Sequence, residues 1–132
     1  MRKHTYRYRD HSGGVTRPSL TRVARNLHKI GQPYLVRGYR WMGKHNVDWE
    51  GIMVKGDQGT ARFEGFLWGY GGEGPRGLVQ LLIRLGVKKP DAERIAFRTP
   101  RLNAIGTDWE LDIMANAYVL RIEGQEPITI SA

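Results

Sequence analysis

Three sets of residues combine types and spacings that could do chemistry. In the first, aromatic rings alternate with cations: Tyr34, Arg37, Tyr39, Arg40, Trp41 and Lys44. On an extended strand alternate side chains share a face, so Arg37, Tyr39 and Trp41 fall together while Arg40 points the other way. Rings stack on bases and guanidinium groups hold phosphates, as in single-strand and RNA binders. A core strand with buried rings and arginines at its rim would read the same. The second set is Arg22, Arg25 and Lys29, spaced to share one face of a helix. The third is the loop Gly69-Tyr70-Gly71-Gly72-Glu73-Gly74, followed by Pro75 and Arg76. Glycine-rich backbone N–H groups ahead of a helix can converge on a phosphate or carboxylate, and Arg76 would add donors. The Glu73 carboxylate opposes this, since it can occupy the same place. The plain alternative is a tight turn in which Trp68 and Tyr70 pack over the helix.

Taken literally, the loop matches the dinucleotide pattern G-x-G-x-x-G. The match fails on context. The preceding segments read as hairpins, the chain is short for a doubly wound sheet, and Pro75 starts the helix after the glycines. No phosphate-loop pattern G-x-x-x-x-G-K-[ST] occurs.

Catalytic patterns are sparse. The histidines, His4, His11, His28 and His45, lack metal-ligand spacing, and the chain has no cysteine. His45 near Asp48 or Glu50 could serve as an acid–base pair, and the same residues suit an ordinary polar hairpin. Asp108, Glu110 and Asp112 alternate along a strand, so they are expected on one solvated face, with Trp109, Leu111 and Ile113 turned inward. No nucleophile elbow or serine triad appears. The expectation is a non-enzyme without catalytic residues, metal or cofactor, a nuclease built from scattered residues being the one enzymatic alternative.

Charge is the stronger signal. The chain has 132 residues and a net charge of +8. Residues 1–45 hold eleven Lys/Arg and one acid, Asp10, for a net of +10; the remainder holds ten Lys/Arg and twelve acids, for a net of −2. Such asymmetry points to a polyanionic partner. The longest apolar run, Leu81-Leu82-Ile83, is far below the roughly 18 residues that span a bilayer. The start of the chain does not resemble a secretion signal. No membrane partner and a cytoplasmic location are therefore expected. The 17 glycines exceed the usual share of about 7%, so tight turns or close backbone approaches must be frequent.

These residues need elements to position them. Residues 1–17 read as a basic arm broken by Gly13-Gly14, with Tyr6 and Tyr8 suited to a short edge strand or to ordering on a ligand. From Pro18 to Ile30 the apolar stripe Leu20, Val23, Leu27 and Ile30 predicts a basic helix, stopped by Gly31. Three antiparallel strands are expected at 34–41, 49–55 and 60–68, then a helix at about 75–86 whose Leu78, Leu81, Leu82 and Leu85 cover the sheet. Ile95–Phe97 reads as a further strand, followed by 108–113, 118–123 and 128–130. The fold class is therefore α+β: an antiparallel sheet of five or more strands packed on a helix, as one domain over 18–132.

The run Phe66-Leu67-Trp68-Gly69-Tyr70-Gly71-Gly72-Glu73-Gly74-Pro75, leading into a leucine-rich helix, resembles a small uncharacterised domain of bacteriophages, mobile elements and bacteria. Phe97 and Trp109-Glu110-Leu111 are similar to that domain's tail. The resemblance spans about residues 60–115 and omits the basic third. It implies an accessory protein of a phage or mobile element that binds rather than catalyses. The leading expectation is binding of RNA or DNA through Arg22, Arg25, Lys29, Arg37, Tyr39, Arg40, Trp41 and Lys44. Two alternatives stand beside it. One is an anti-defence sponge or receptor for a small nucleotide, such as a cyclic one, at Gly69, Tyr70, Gly71, Gly72, Gly74 and Arg76. The other is an inhibitor that docks on a host defence or nucleic-acid-handling protein.

Overall fold

Alternation of apolar and polar residues from Pro33 onward drives several segments into strands, and the structure, a computed structural model, bears this out; it describes residues 6–10, 16–42, 48–101 and 106–131, apart from the side chains at 48 and 49. The elements are β1 (Tyr6–Arg9), α1 (Thr16–Asn26) with a 3-10 turn (Leu27–Ile30), β2 (Pro33–Met42), β3 (Asp48–Gly56), β4 (Gly59–Phe63), α2 (Glu73–Arg84), α3 (Lys89–Arg98), β5 (Gly106–Ile113), β6 (Ala117–Ile122) and β7 (Ile128–Ser131). The fold is α+β. One sheet of seven strands has the order β1-β4-β3-β2-β5-β6-β7. Among the described residues, no helix is long and apolar enough to cross a membrane.

The strand register builds the core. Val36 stands opposite Val54 on one side and Leu111 on the other, Val54 opposite Ala61, and Leu111 opposite Leu120. These side chains share one face, because neighbours in register project the same way. The helices cover that face with Val23, Leu78, Leu81, Leu82, Ala92 and Ile95, all part of a single buried cluster. Each fully buried Leu or Ile there contributes about 2 kcal/mol of apolar burial. Gly77 allows α1 and α2 to pack closely: a Cβ there would lie 2.5 Å from Thr16 Cγ2 and 2.7 Å from Phe66.

Three expectations are corrected. The sheet is mixed rather than antiparallel, because β1 runs parallel to β4. Such a connection needs a crossover, and the segment containing α1 provides it. Ile95–Phe97 is not a strand but the end of α3, where Ala92, Ile95 and Ala96 turn inward at helical spacing. The strand expected at 60–68 ends at Phe63, and residues 64–72 form the approach to α2, which begins at Glu73. Part of the expected basic arm is ordered as the edge strand β1, its Tyr8 ring 5.9 Å from Phe63.

Candidate nucleic-acid interface

The face of the sheet opposite the helices carries the charge. Reading across the register, one row runs Arg9, Arg62, Met53, Arg37, Glu110, Arg121. The next runs Arg7, Thr60, Lys55, Leu35, Asp112, Val119. Apolar partners explain why these positions face outward: Ala61 and Phe63 turn into the core, so Arg62 between them must turn away.

Ion pairing divides this face in two. Over β2, β5 and β6 the charges cancel: Arg37 meets Glu110 at 2.8 Å and Arg121 meets Asp112 at 3.1 Å. Over β1, β4 and β3 they do not. Arg9 meets Glu64 at 3.0 Å, whereas Arg7, Lys55 and Arg62 have no acid in ion-pair reach among the described residues. A groove of about 480 Å³ runs through this half, lined by Arg7, Tyr8, Arg9, Met53, Lys55, Thr60 and Arg62, with no carboxylate among the described residues of its wall.

Two rings adjoin the groove. Tyr39 and Trp41 stack with centroids 4.9 Å apart. The Arg62 guanidinium lies 5.8 Å from the Tyr39 ring centre, and that of Arg9 lies 5.4 Å from Trp41. Tyr39 is only 7% exposed, and its hydroxyl has no hydrogen-bond partner. Burial pushes its phenol above the usual tyrosine range, while Arg62 and Arg9 pull it partway back. Trp41 is half-buried and is the more accessible of the two rings.

The residues singled out in the sequence separate into distinct places. Arg37, Tyr39 and Trp41 do share the open face. Arg40 points to the helix side, where its Nη2 lies 3.4 Å from Asp108 and 3.6 Å from Glu50. Arg22 belongs to a buried knot: its Nη1 reaches Asp10 Oδ1 at 2.5 Å, and Asp10 Oδ2 accepts from the Ser19 hydroxyl and, at 3.1 Å, from the Glu64 N–H. Arg25 and Lys29 are exposed, with Lys29 Nζ 5.8 Å from the Tyr6 ring, so they flank the β1 edge from the helix side. Lys44, His4, His11 and His45 lie outside the described residues, as does the side chain of Asp48.

The expected row of Asp108, Glu110 and Asp112 is broken. A bulge sets Gly38 opposite Trp109 but Tyr39 opposite Thr107, which turns Asp108 into the protein beside Arg40. Asp108 is buried, and Glu110 and Asp112 are each held by an arginine. Among the described residues, no cluster of three or more His, Asp or Glu could hold a metal ion.

The glycine loop is braced by Arg101, a residue the sequence reading did not single out. Its Nη1 donates to the Trp68 carbonyl at 3.4 Å, its Nη2 meets Glu50 at 2.5 Å, and its guanidinium lies 5.5 Å from the Tyr70 ring centre. Gly69 has φ +88°, and a Cβ there would strike the Arg101 side chain. Gly72 is extended and precedes α2, Gly74 is buried, and Gly71 borders open space. Tyr70 and Arg76 are exposed, and the Arg76 N–H is spent inside the helix on the Gly72 carbonyl at 3.0 Å. The groove residues Arg7, Lys55 and Arg62 were also missed. Strand alternation places Arg62 outward, but the charge of the N-terminal third outweighs Lys55 and Arg62 in the sequence, and Arg7 falls in the segment that reads as an arm. Comparison with protein-family models, curated proteins and solved structures gives no match to this chain.

Proposed function

We propose that this chain is a non-enzymatic nucleic-acid-binding protein that holds a strand of RNA or DNA on the β1-β4-β3 half of its open sheet face. The observation that carries this reading is the groove whose wall contains Arg7, Arg9, Lys55 and Arg62 and, among the described residues, no carboxylate. Arg7 and Arg9 lie two residues apart on β1, a separation of roughly 6.6 Å that suits successive phosphates of an extended strand. Arg62 and Lys55 widen the track across β4 and β3. Arg25 and Lys29 extend it around the edge. Trp41 borders the track, its ring against Tyr39 and the Arg9 guanidinium. Phosphate contacts supply most of the affinity and little sequence choice.

The test is fluorescence anisotropy with labelled single-stranded RNA and DNA over a range of salt. Arg7, Lys55 and Arg62, with no acid in reach among the described residues, and the shared Arg9 give an expected slope of log affinity against log salt of about −2 to −3. The variant R7A/K55A/R62A loses most of the affinity. The variant R76A/K88A/R98A, with the same loss of net charge elsewhere, retains most of it. Equal loss in both variants, or affinity indifferent to salt, would overturn the proposal.

A further inference from the structure

On the opposite side of the molecule, the end of α1 with its 3-10 turn, the end of α2, the start of β2 and the end of β5 converge on a cleft of about 310 Å³. That volume is at the low end of small-molecule sites, which run from about 300 to 1,000 Å³. Its wall includes the apolar side chains of Val23, Leu27, Leu85 and Ile113, together with His28 and Arg84, and no carboxylate.

Arg84 and His28 stand in the last turns of α2 and of the 3-10 helix, where a basic group complements the helix dipole. Basic side chains near helix ends commonly satisfy free carbonyls. Here other groups already satisfy several of them. Gly86, at φ +98°, lets its own N–H reach the Ile83 carbonyl at 2.9 Å and the Val87 N–H reach that of Leu82 at 3.0 Å. The Tyr118 hydroxyl donates to the Leu85 carbonyl at 3.1 Å. At the 3-10 turn, the His28 and Ile30 carbonyls accept from the Gly31 and Gln58 N–H groups. Arg84 has no ion pair among the described residues.

We propose that this cleft binds a small amphipathic carboxylate, with its apolar body against Val23, Leu27, Leu85 and Ile113 and its carboxylate on the Arg84 guanidinium, assisted by His28. A planar carboxylate matches the guanidinium fork, and the apolar side chains favour an anion with an apolar body over a small hydrophilic one. The site is separate from the sheet face that holds nucleic acid, so either proposal can fail alone.

Octanoate is a suitable probe, with octylamine as the matched cation and acetate as the head group alone. In a titration followed by amide chemical shifts, octanoate should give saturable shifts at Val23, Leu27, Leu85 and Ile113, and the other two should not. Arg84→Ala should weaken octanoate by about tenfold, the size expected for one charged hydrogen-bonded contact. Ala24→Phe, at an exposed position of the wall, should fill the cleft and abolish the shifts. The proposal is overturned if octylamine binds as well as octanoate, if Arg84→Ala binds it unchanged, or if octanoate shifts are absent or map elsewhere.

Discussion

Tyr39 shows how one side chain can be tuned by what surrounds it. Its ring is packed between Trp41 and the Arg62 guanidinium, and its hydroxyl is buried without a partner. An unpartnered buried hydroxyl costs stability that a phenylalanine of the same shape would not. Tyr39→Phe is therefore expected to raise stability by about 1 kcal/mol, measured by urea unfolding. The same substitution should soften the response to alkali. Burial raises the phenols of Tyr6, Tyr8 and Tyr39 in the folded state. Below pH 10 both folded and unfolded chains hold these protons, and stability does not depend on them. Above it the unfolded chain releases them first, so stability falls as pH rises toward the folded-state values. The fall should be shallower in Tyr39→Phe. Its affinity for nucleic acid should stay near the parent's, because a ring 7% exposed offers a ligand little surface.

At the scale of elements, Asp10 joins pieces that no local propensity would bring together. It follows β1, accepts from Ser19 and Arg22 of α1, and accepts from the Glu64 N–H just past β4. The Ser19 hydroxyl in turn accepts from the Gly65 N–H at 3.0 Å. Asp10→Ala would leave these donors facing a void. The expected cost is about 3 kcal/mol, and hydrogen exchange should rise first in β1 and α1. Equal exchange across the sheet would argue against Asp10 as the tie. This knot also marks where the sequence stops being legible. Strands β2, β3, β5, β6 and β7 and both longer helices follow from alternation, helical spacing and glycine stops, and all lie close to their expected bounds. The parallel pairing of β1 is accompanied by Asp10 meeting Ser19 and Arg22, a contact between segments that periodicity does not report. Helix α3 was misread because Ile95-Ala96-Phe97 is a short apolar run that fits either element. The deciding signals were Pro90 and Asp91 in its first turn. On the candidate site, alternation put Arg37, Tyr39 and Trp41 on one face. It could not show that Glu110, some 70 residues on, would neutralise Arg37 while Arg62 met no acid among the described residues.

Across the whole molecule, location of charge matters more than its total. The net +8 arises mainly from a cationic N-terminal third, yet the fold spends Arg9, Arg22, Arg37 and Arg40 on its own carboxylates. What remains is an open face with a positive half and a neutral half. The acids of β5 set the boundary, since Glu110 and Asp112 hold Arg37 and Arg121. Removing those two charges should therefore move the boundary. In E110Q/D112N the shapes are kept, Arg37 and Arg121 lose their partners, and the positive track extends from β3 across β2 and β5. Nucleic-acid affinity should rise several-fold at low salt, and the salt slope should steepen by roughly 0.7 for each further phosphate neutralised. Long-range attraction alone would also respond to two added positive charges. E123Q/E126Q separates the effects, because it makes the same change in net charge at exposed positions around the β6–β7 turn. It should leave the slope unchanged and raise affinity only slightly. If both variants tighten binding equally, the sheet face has no privileged half and the ligand answers only to the molecule's overall charge. If only E110Q/D112N does, the boundary drawn by the β5 acids sets how far a strand can lie on the sheet.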